Sequence, residues 1–495
     1  MDVKVISPTK AIVTRIDEGE VVALTKKLTY TNTSVAFQLN KHYKNRWFKQ
    51  KDPIGWQELH DALQPKVKNC LLEYENGEYW LRPGSIPSVG EYVDKYENQI
   101  EYPALKPLKW AVKPDFEPYS YQTTAVERLI NIKHGNISLP TGCGKSYILL
   151  LLAQQMGLDV VVVTPSQSIF TELLEEFQLR LGENMVGGYG DGYKDIKKKI
   201  TIAIGKSLTM LEPDTPAYNF FKNKKVMLVD ESHTFAAEQL NDVCHGVLKD
   251  TPYRMFVSAT QTRNDGTEKL LNAIIGKNVL DMSLEEAISD GYLCPLNFTV
   301  IETFSPDTRK IADPTKCKRV HFLYNRNIAS IVSKIANANW TMKQHSTLIL
   351  VEELEQIEML ASLLTVPFTY VHSADKKKAQ EFKLNKVSSK EEVARFNKGE
   401  VKILIGTKAI ATGTNIYPTH ATINWMGGAS EITTKQGAMG RSTRKLEISK
   451  FKHLHQPKPY TMVYDFRVKN VPDLDKSLAK RCGYYKEAGG KLHYV

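Results

Sequence analysis

Leu139-Pro140-Thr141-Gly142-Cys143-Gly144-Lys145-Ser146 is the stretch that decides the fold. It follows the strand-like apolar run Ile137–Pro140 and precedes an apolar helical pattern, so it reads as a strand-to-helix turn. Gly142 and Gly144 let the backbone curl until its N–H groups converge on phosphate oxygens. The helix that follows adds its positive N-terminus. In such a loop Thr141, Gly142, Cys143, Gly144, Lys145 and Ser146 surround the phosphates of ATP. Lys145 would reach the β- and γ-phosphates, and the Ser146 hydroxyl would ligate Mg²⁺. The pattern usually opens on glycine, and Leu139 stands there instead.

A phosphate loop calls for acids at a neighbouring strand end. Val226-Met227-Leu228-Val229-Asp230-Glu231-Ser232-His233 supplies them. The apolar run would carry Asp230 to the edge of the sheet to hold Mg²⁺. Glu231 would position and deprotonate the attacking water. His233 would sense the γ-phosphate or hydrogen-bond across the domain. Gln436-Gly437-Ala438-Met439-Gly440-Arg441-Ser442-Thr443-Arg444 would supply positive charge for the transition state. Arg441 and Arg444 are three apart and share a face if the segment is helical. If the ATP cleft lies between two α/β domains, hydrolysis would depend on its closure.

Outward from these segments, strand-length apolar runs recur at Val160–Pro165, Ile200–Ile204, Val226–Asp230 and Arg254–Ser258. A second series falls at Thr347–Val351, Thr369–His372, Ile403–Thr407, Ala421–Trp425 and Met462–Phe466. Continuous Val/Ile/Leu character predicts strands covered on both faces, as in parallel sheets. Amphipathic patterns such as Ile169, Phe170, Leu173, Leu174, Phe177 and Leu181 separate them. Strand–helix alternation repeated twice predicts two α/β domains in tandem, crossing over at Leu284–Pro295. The first ~110 residues differ, with short β-like runs at Val3–Ile6, Ala11–Ile16 and Val21–Leu24. Prolines at 83, 87, 103, 107, 114 and 118 then mark Ser85–Glu117 as a connector.

The 495 residues are 42% hydrophobic and 24% charged, which excludes a disordered chain or a disulfide scaffold. A formal charge of +11 suits a polyanionic partner. The most apolar region, Tyr147–Val163, is broken by Gln154, Gln155, Gly157 and Asp159, too early for a membrane helix. Cys70, Cys143, Cys244, Cys294, Cys317 and Cys482 form no CxxC pair, and the chain opens without a secretory pattern. These point to a reduced, intracellular protein that keeps clear of membranes. His453 and His455 have no acids nearby and read as loop residues.

The ordered set of motifs resembles superfamily 2 helicases and translocases over roughly Tyr119 to Phe466. Tyr121-Gln122 is similar to the adenine-reading Q motif, so Gln122 would read the base. Thr164-Pro165 and Gly205-Lys206-Ser207 resemble the segments that hold a nucleic-acid backbone, and Ser258-Ala259-Thr260 the one that couples hydrolysis to strand grip. Ile405-Gly406-Thr407 through Thr412-Gly413-Thr414-Asn415 resembles motif V, and Gln436 to Arg444 motif VI. The form Ser258-Ala259-Thr260-Gln261-Thr262-Arg263-Asn264-Asp265-Gly266 is similar to that of the group holding UvsW, XPB and restriction-enzyme motors, and Ser289-Asp290-Gly291-Tyr292-Leu293 resembles the UvsW-type branched-DNA helicases of phages.

That resemblance implies two RecA-like parallel-sheet motor domains, residues 113–292 and 293–495, behind a small α/β N-terminal DNA-binding domain, residues 1–112. It implies ATP and Mg²⁺ as cofactors, with Gly413 also at the nucleotide. Catalysis would fall to Lys145, Asp230, Glu231, Gln436, Arg441 and Arg444. DNA, forked or branched, would be held by Thr164, Pro165, Lys206 and Thr407, in a host cytoplasm if the protein is phage-encoded. Asn415 departs from an acid that meets the ribose in relatives, and Lys408–Ala411 lacks the acid common earlier in motif V. His42-Tyr43-Lys44-Asn45-Arg46-Trp47-Phe48-Lys49 interleaves aromatics with basic residues. It suits base stacking or a duplex arm, or else a core strand with a basic outer face. A double-strand translocase of the restriction type and an RNA helicase are the rival readings.

Overall fold

The computed structural model describes residues 1–114, 116–235, 237–259, 266–407, 416, 419–430, 433–440, 442–445 and 458–495. Two compact units divide the chain. The first comprises Met1–Leu139 with Gly144–Asp281, the second Pro140–Cys143 with Met282–Val495.

The first unit opens with a five-stranded sheet: β1 Asp2–Ser7, β2 Lys10–Thr14, β5 Leu72–Glu75, β6 Glu78–Leu81 and β7 Lys95–Asn98, in the order β5-β6-β2-β1-β7. A two-stranded pair, β3 Thr29–Thr31 and β4 Lys68–Cys70, sits beside it. Val21–Leu24 is not the strand its composition predicts but part of the helix Glu18–Leu28. A capping box overrides β propensity there. The Glu20 N–H donates to Asp17 Oδ1 at 2.8 Å, and the Asp17 N–H to Glu20 Oε2 at 3.2 Å. The stretch His42–Lys49 is likewise no strand: helices Thr33–Lys44 and Arg46–Lys51 take it up, followed by Pro53–Leu63.

The expected connector is shorter than its prolines suggest. Pro83–Tyr92 forms 3₁₀ turns, where proline is tolerated, and Lys95–Asn98 joins the sheet beside β1. The turns pack on the helix Glu268–Ile275, so Val3, Val5, Leu24, Leu81 and Val89 share one apolar cluster with Leu270, Leu271 and Ile274. The next stretch is docked by backbone bonds. Lys106 N–H donates to Met156 O at 3.1 Å, and Leu108 N–H to Gln154 O at 2.8 Å.

The larger sheet of this unit contains β8 His134–Ser138, β9 Val160–Thr164, β10 Val186–Gly190, β11 Tyr193–Lys194, β12 Ile200–Ile204, β13 Val226–Val229, β14 Tyr253–Ser258 and β15 Lys277–Asp281. Its order is β11-β10-β12-β9-β13-β14-β8-β15, parallel except for the short β10–β11 hairpin. Every residue of β9, β13 and β14 is buried, as continuous apolar strands require.

The second unit holds seven parallel strands: β16 Leu296–Thr303, β17 Thr347–Val351, β18 Phe368–Val371, β19 Ile403–Gly406, β20 Ala421–Trp425, β21 Thr461–Val468 and β22 Lys491–Tyr494. Their order is β18-β19-β17-β20-β21-β16-β22. The architecture is α/β with parallel-strand sheets. No helix among the described residues is long and apolar enough to cross a membrane.

Candidate active site

The phosphate loop leaves β8 and enters the helix Lys145–Met156. Gly142 and Gly144 both take positive φ, +99° and +67°, as the curled loop requires. At Gly144 there is a second constraint: a Cβ would lie 2.5 Å from Gln122 Nε2. Gln122, 96% buried, thus packs its amide against the loop, and its Oε1 accepts from the Tyr119 N–H at 3.0 Å. Ser146 is exposed at the start of the helix.

Lys145 is buried, its Nζ 3.4 Å from both Leu139 O and Glu231 Oε1. Asp230 and Glu231 leave the end of β13 beside it. The Asp230 N–H donates to Val163 O at 3.0 Å, and its Oδ1 accepts from the Glu231 N–H at 2.9 Å. Burial, with Glu231 adding repulsion and Lys145 opposing, pushes the Asp230 carboxyl above its ordinary value. Burial also raises Glu231, but Lys145 and His233 outweigh it and hold that carboxyl below its ordinary value. Asp230 is thus shifted toward its protonated form and Glu231 toward its ionised form. Glu231 is held at φ +46°, a left-handed conformation costing a non-glycine residue roughly 1–3 kcal/mol.

His233 joins this cluster to β14. Its Nδ1 lies 2.5 Å from Ser258 Oγ and 3.4 Å from Glu231 Oε2. The Ala259 backbone also hydrogen-bonds the Glu231 carboxylate. Ala259 therefore touches the acid expected to act as base, and Ser258 reaches it through His233. Buried carboxylate oxygen from Asp230 and the open Ser146 hydroxyl are hard ligands of the kind Mg²⁺ takes, and a cation there would restore the Asp230 charge.

In the second unit, the loop residues Thr141 and Gly142 lie against the arginine segment. A Cβ on Gly440 would come 2.7 Å from Thr141 Cβ, and one on Gly142 3.4 Å from Arg444 Cγ. The segment is not the regular helix that a shared Arg441/Arg444 face presumes. Thr433–Gly440 is a π-type turn, and Ser442–Arg444 continues as a tight bend. Gln436 lies in that turn with its side chain outside the described residues, as do Arg441, Gly413, Asn415 and Thr260 altogether.

The expected strand-holding residues are placed unequally. Lys206 is exposed on the helix Gly205–Thr209, and Pro165 is half-buried. Thr164 is fully buried, its hydroxyl directed at Ala203 O and Ser166 O, 3.4 and 3.5 Å away. Thr407 follows β19, buried, with its N–H donating to Val371 O at 3.2 Å. Sequence reasoning passes over Lys458, which stands between two prolines before β21 and carries no motif.

Two family models match the chain in tandem. The model of the type III restriction enzyme res subunit covers residues 115–263, and that of the helicase conserved C-terminal domain covers residues 327–445. Together they span just over half of the 495 residues. The chain belongs to superfamily 2 of the helicases. The DNA 3'-5' translocase XPB2 of Sulfurisphaera tokodaii is 26% identical over 277 residues, 54% of this chain and 59% of that protein. The ATP-dependent DNA helicase uvsW of Enterobacteria phage T4 is 24% identical over 239 residues, 44% of this chain and 46% of that protein. The chain thus matches about half to three fifths of these relatives' length. An HsdR fragment of a type I restriction enzyme from Vibrio vulnificus YJ016 shares the fold, with a TM-score of 0.53 at 17% identity over 77% of this chain and 70% of that one.

Proposed function

We propose that the chain is an ATP-driven DNA motor that remodels branched DNA, migrating forks and Holliday junctions. The observation that carries the ATPase reading is the buried Lys145–Glu231–Asp230 cluster. Gln122 meets the adenine side, and residues Thr141 to Ser146, with Gly413, enclose the phosphates. Lys145 neutralises the β- and γ-phosphates, and Ser146 and Asp230 would hold Mg²⁺. Mg²⁺ held there would supply positive charge against the phosphates. Glu231 takes the proton of the attacking water, its carboxylate ionised and placed beside Lys145. Arg444, with Arg441 and Gln436, offsets charge on the leaving phosphoryl group. Ser258, Ala259 and Thr260 carry the event to strand grip, since the first two contact the Glu231–His233 pair. Pro165 and Lys206 line the strand through its backbone, with Thr164 and Thr407 buried in the segments that carry such contacts, so sequence matters little.

Residues 1–112 form the accessory DNA-binding domain, ahead of motor domains 113–292 and 293–495. Support for branched substrates comes from its three consecutive helices. Phe37 is 69% exposed and Trp47 66%, amid Lys41, Lys44, Arg46, Lys49 and Lys51. Lys51 Nζ sits 4.7 Å over the Trp47 ring, so the patch joins stacking faces to phosphate-binding charge. A second reading, a double-strand translocase that separates no strands, is favoured by the restriction-enzyme model over residues 115–263.

The test sets ATPase and strand displacement side by side on single strand, duplex, fork and four-way junction, with triplex displacement as the translocation control. Lys145→Ala and Glu231→Gln are expected to abolish turnover while DNA binding persists. Loss of DNA binding in both would contradict these roles, and triplex displacement without strand separation would favour the second reading.

A further inference from the structure

The bend that carries Arg444 is gripped from outside its own segment. Lys458 is buried, and its ammonium donates to Ser442 O and, at 2.9 Å, to Arg444 O. Thr461 Oγ1, at the start of β21, donates to the same Ser442 carbonyl at 2.6 Å. The carbonyl between them, Thr443 O, accepts from the Cys294 N–H at 2.7 Å, just before β16. Three successive carbonyls therefore have outside donors, two of them from one lysine.

The anchor is itself fixed. β16 and β21 pair in parallel, with Leu296 opposite Thr461. The Thr461 N–H donates to Pro295 O at 2.8 Å, and Cys294 Sγ approaches Lys458 O at 3.4 Å. The bend also ties back on the preceding turn. Ser442 Oγ donates to Ala438 O at 3.0 Å, and Thr443 Oγ1 to Gly440 O at 2.9 Å. Burying an ammonium costs several kcal/mol unless its donors are used. Packing alone would be served better by leucine or methionine. A buried lysine spending donors on two carbonyls two residues apart fixes a backbone path, and this path ends at the Arg444 side chain.

We propose that Lys458 is a positioning residue for hydrolysis, holding the Ser442–Arg444 backbone so that the Arg444 guanidinium meets the phosphates. This rests on the reading of Arg444 given under Proposed function. Lys458 touches no reacting atom, so its effect runs wholly through Arg444.

The test uses the full chain and DNA-stimulated steady-state ATPase, with kcat and KM for ATP measured separately. Lys458→Met keeps length and volume while removing charge and donors. It is expected to lower kcat by about 10- to 100-fold, the scale of ~1 Å misplacement, with KM changed by less than about 3-fold. Lys458→Arg, which keeps a buried cation with donors, is expected to recover most of that loss. In an Arg444→Ala background, Lys458→Met is expected to cost nothing further, because residues acting as one unit are not additive. Should Lys458→Met destroy the fold, Thr461→Val removes one neutral donor from Ser442 O, and its smaller kcat loss is likewise expected to vanish in Arg444→Ala. Equal losses in both backgrounds, or an unchanged kcat in Lys458→Met beside a depressed one in Arg444→Ala, would overturn the positioning role alone. A normal kcat in Arg444→Ala would instead overturn the arginine reading on which it stands.

Discussion

Arg481 and Asp465 form a buried ion pair between β21 and the helix Asp475–Glu487, and its removal has a calculable cost. Both are almost fully buried, with 2% and 1% exposure. The pair is bidentate: Nε donates to Oδ2 at 2.6 Å and Nη2 to Oδ1 at 2.8 Å. Nη1 donates to Gly428 O at 3.0 Å. Tyr485 OH donates to Asp465 Oδ2 at 2.7 Å, and the Phe466 N–H to Oδ1 at 2.7 Å. Arg481→Met strips two charged donors from a carboxylate that cannot reach water. Uncompensated buried charge of this kind costs about 3–5 kcal/mol, roughly a 10²- to 4×10³-fold shift in the unit's folding equilibrium. Asp465→Leu leaves the guanidinium stranded at a similar cost. The double variant Arg481→Met/Asp465→Leu removes both charges and is expected to fall within about 1–2 kcal/mol of the parent. Hydrogen exchange of peptides from β20 and β21 along a urea series reads this unit apart from the other. A loss of less than about 1 kcal/mol in Arg481→Met would refute the argument. So would a double variant as unstable as the two singles summed.

Three further outcomes follow from particular contacts. Gly84→Val places a Cβ 2.2 Å from Ala273 O, where two backbones meet; overpacking at roughly 1–3 kcal/mol should loosen the N-terminal sheet from Glu268–Ile275, read as faster exchange or proteolysis between residues 99 and 118. Burial, with Arg254 adding repulsion, holds the His134 ring at about 4 and the His245 ring at about 3, against 6.5 when unfolded. Between pH 6.5 and about 4 only the unfolded chain gains these protons, so stability is full above that window and falls as pH drops through it, by up to about 2 kcal/mol per ring at pH 5. Both rings are partly exposed, which lowers that figure, and His134→Gln should flatten the acid limb of a urea-midpoint-against-pH curve. Trp47→Ala should weaken fork binding by about 1–3 kcal/mol while leaving the salt slope nearly intact, because stacking and counterion release are separate terms; an unchanged fork affinity would argue against the aromatic patch.

Strands buried on both faces were legible because nothing competes with a continuous Val/Ile/Leu run: β9, β12, β13, β17 and β20 lie where composition places them. β16 is not legible in that way. Leu296, Phe298 and Val300 face inward while Asn297, Thr299 and Ile301 are half-exposed, so its pattern alternates where β17, β19 and β20 are buried throughout. At Val21–Leu24 the β-branched residues pointed one way and the Asp17–Glu20 cap the other, and the cap prevailed because it satisfies two orphan backbone donors.

The candidate site divides along the same physical line. Groups meant to touch a ligand keep a fixed order along the chain, because one loop or one strand end must present them together. Lys145, Asp230 and Glu231 are readable for that reason. Groups that hold those residues in place need only proximity in space. Lys458 reaches Ser442 across sixteen residues of chain and Arg444 across fourteen. Neither contact leaves a spacing in the sequence. A lysine between prolines looks like any solvated loop until its burial is known, and burial is a property of the fold. The supports of such a site are therefore where a structure adds most. They are also where a substitution outside every motif can cost as much turnover as one within.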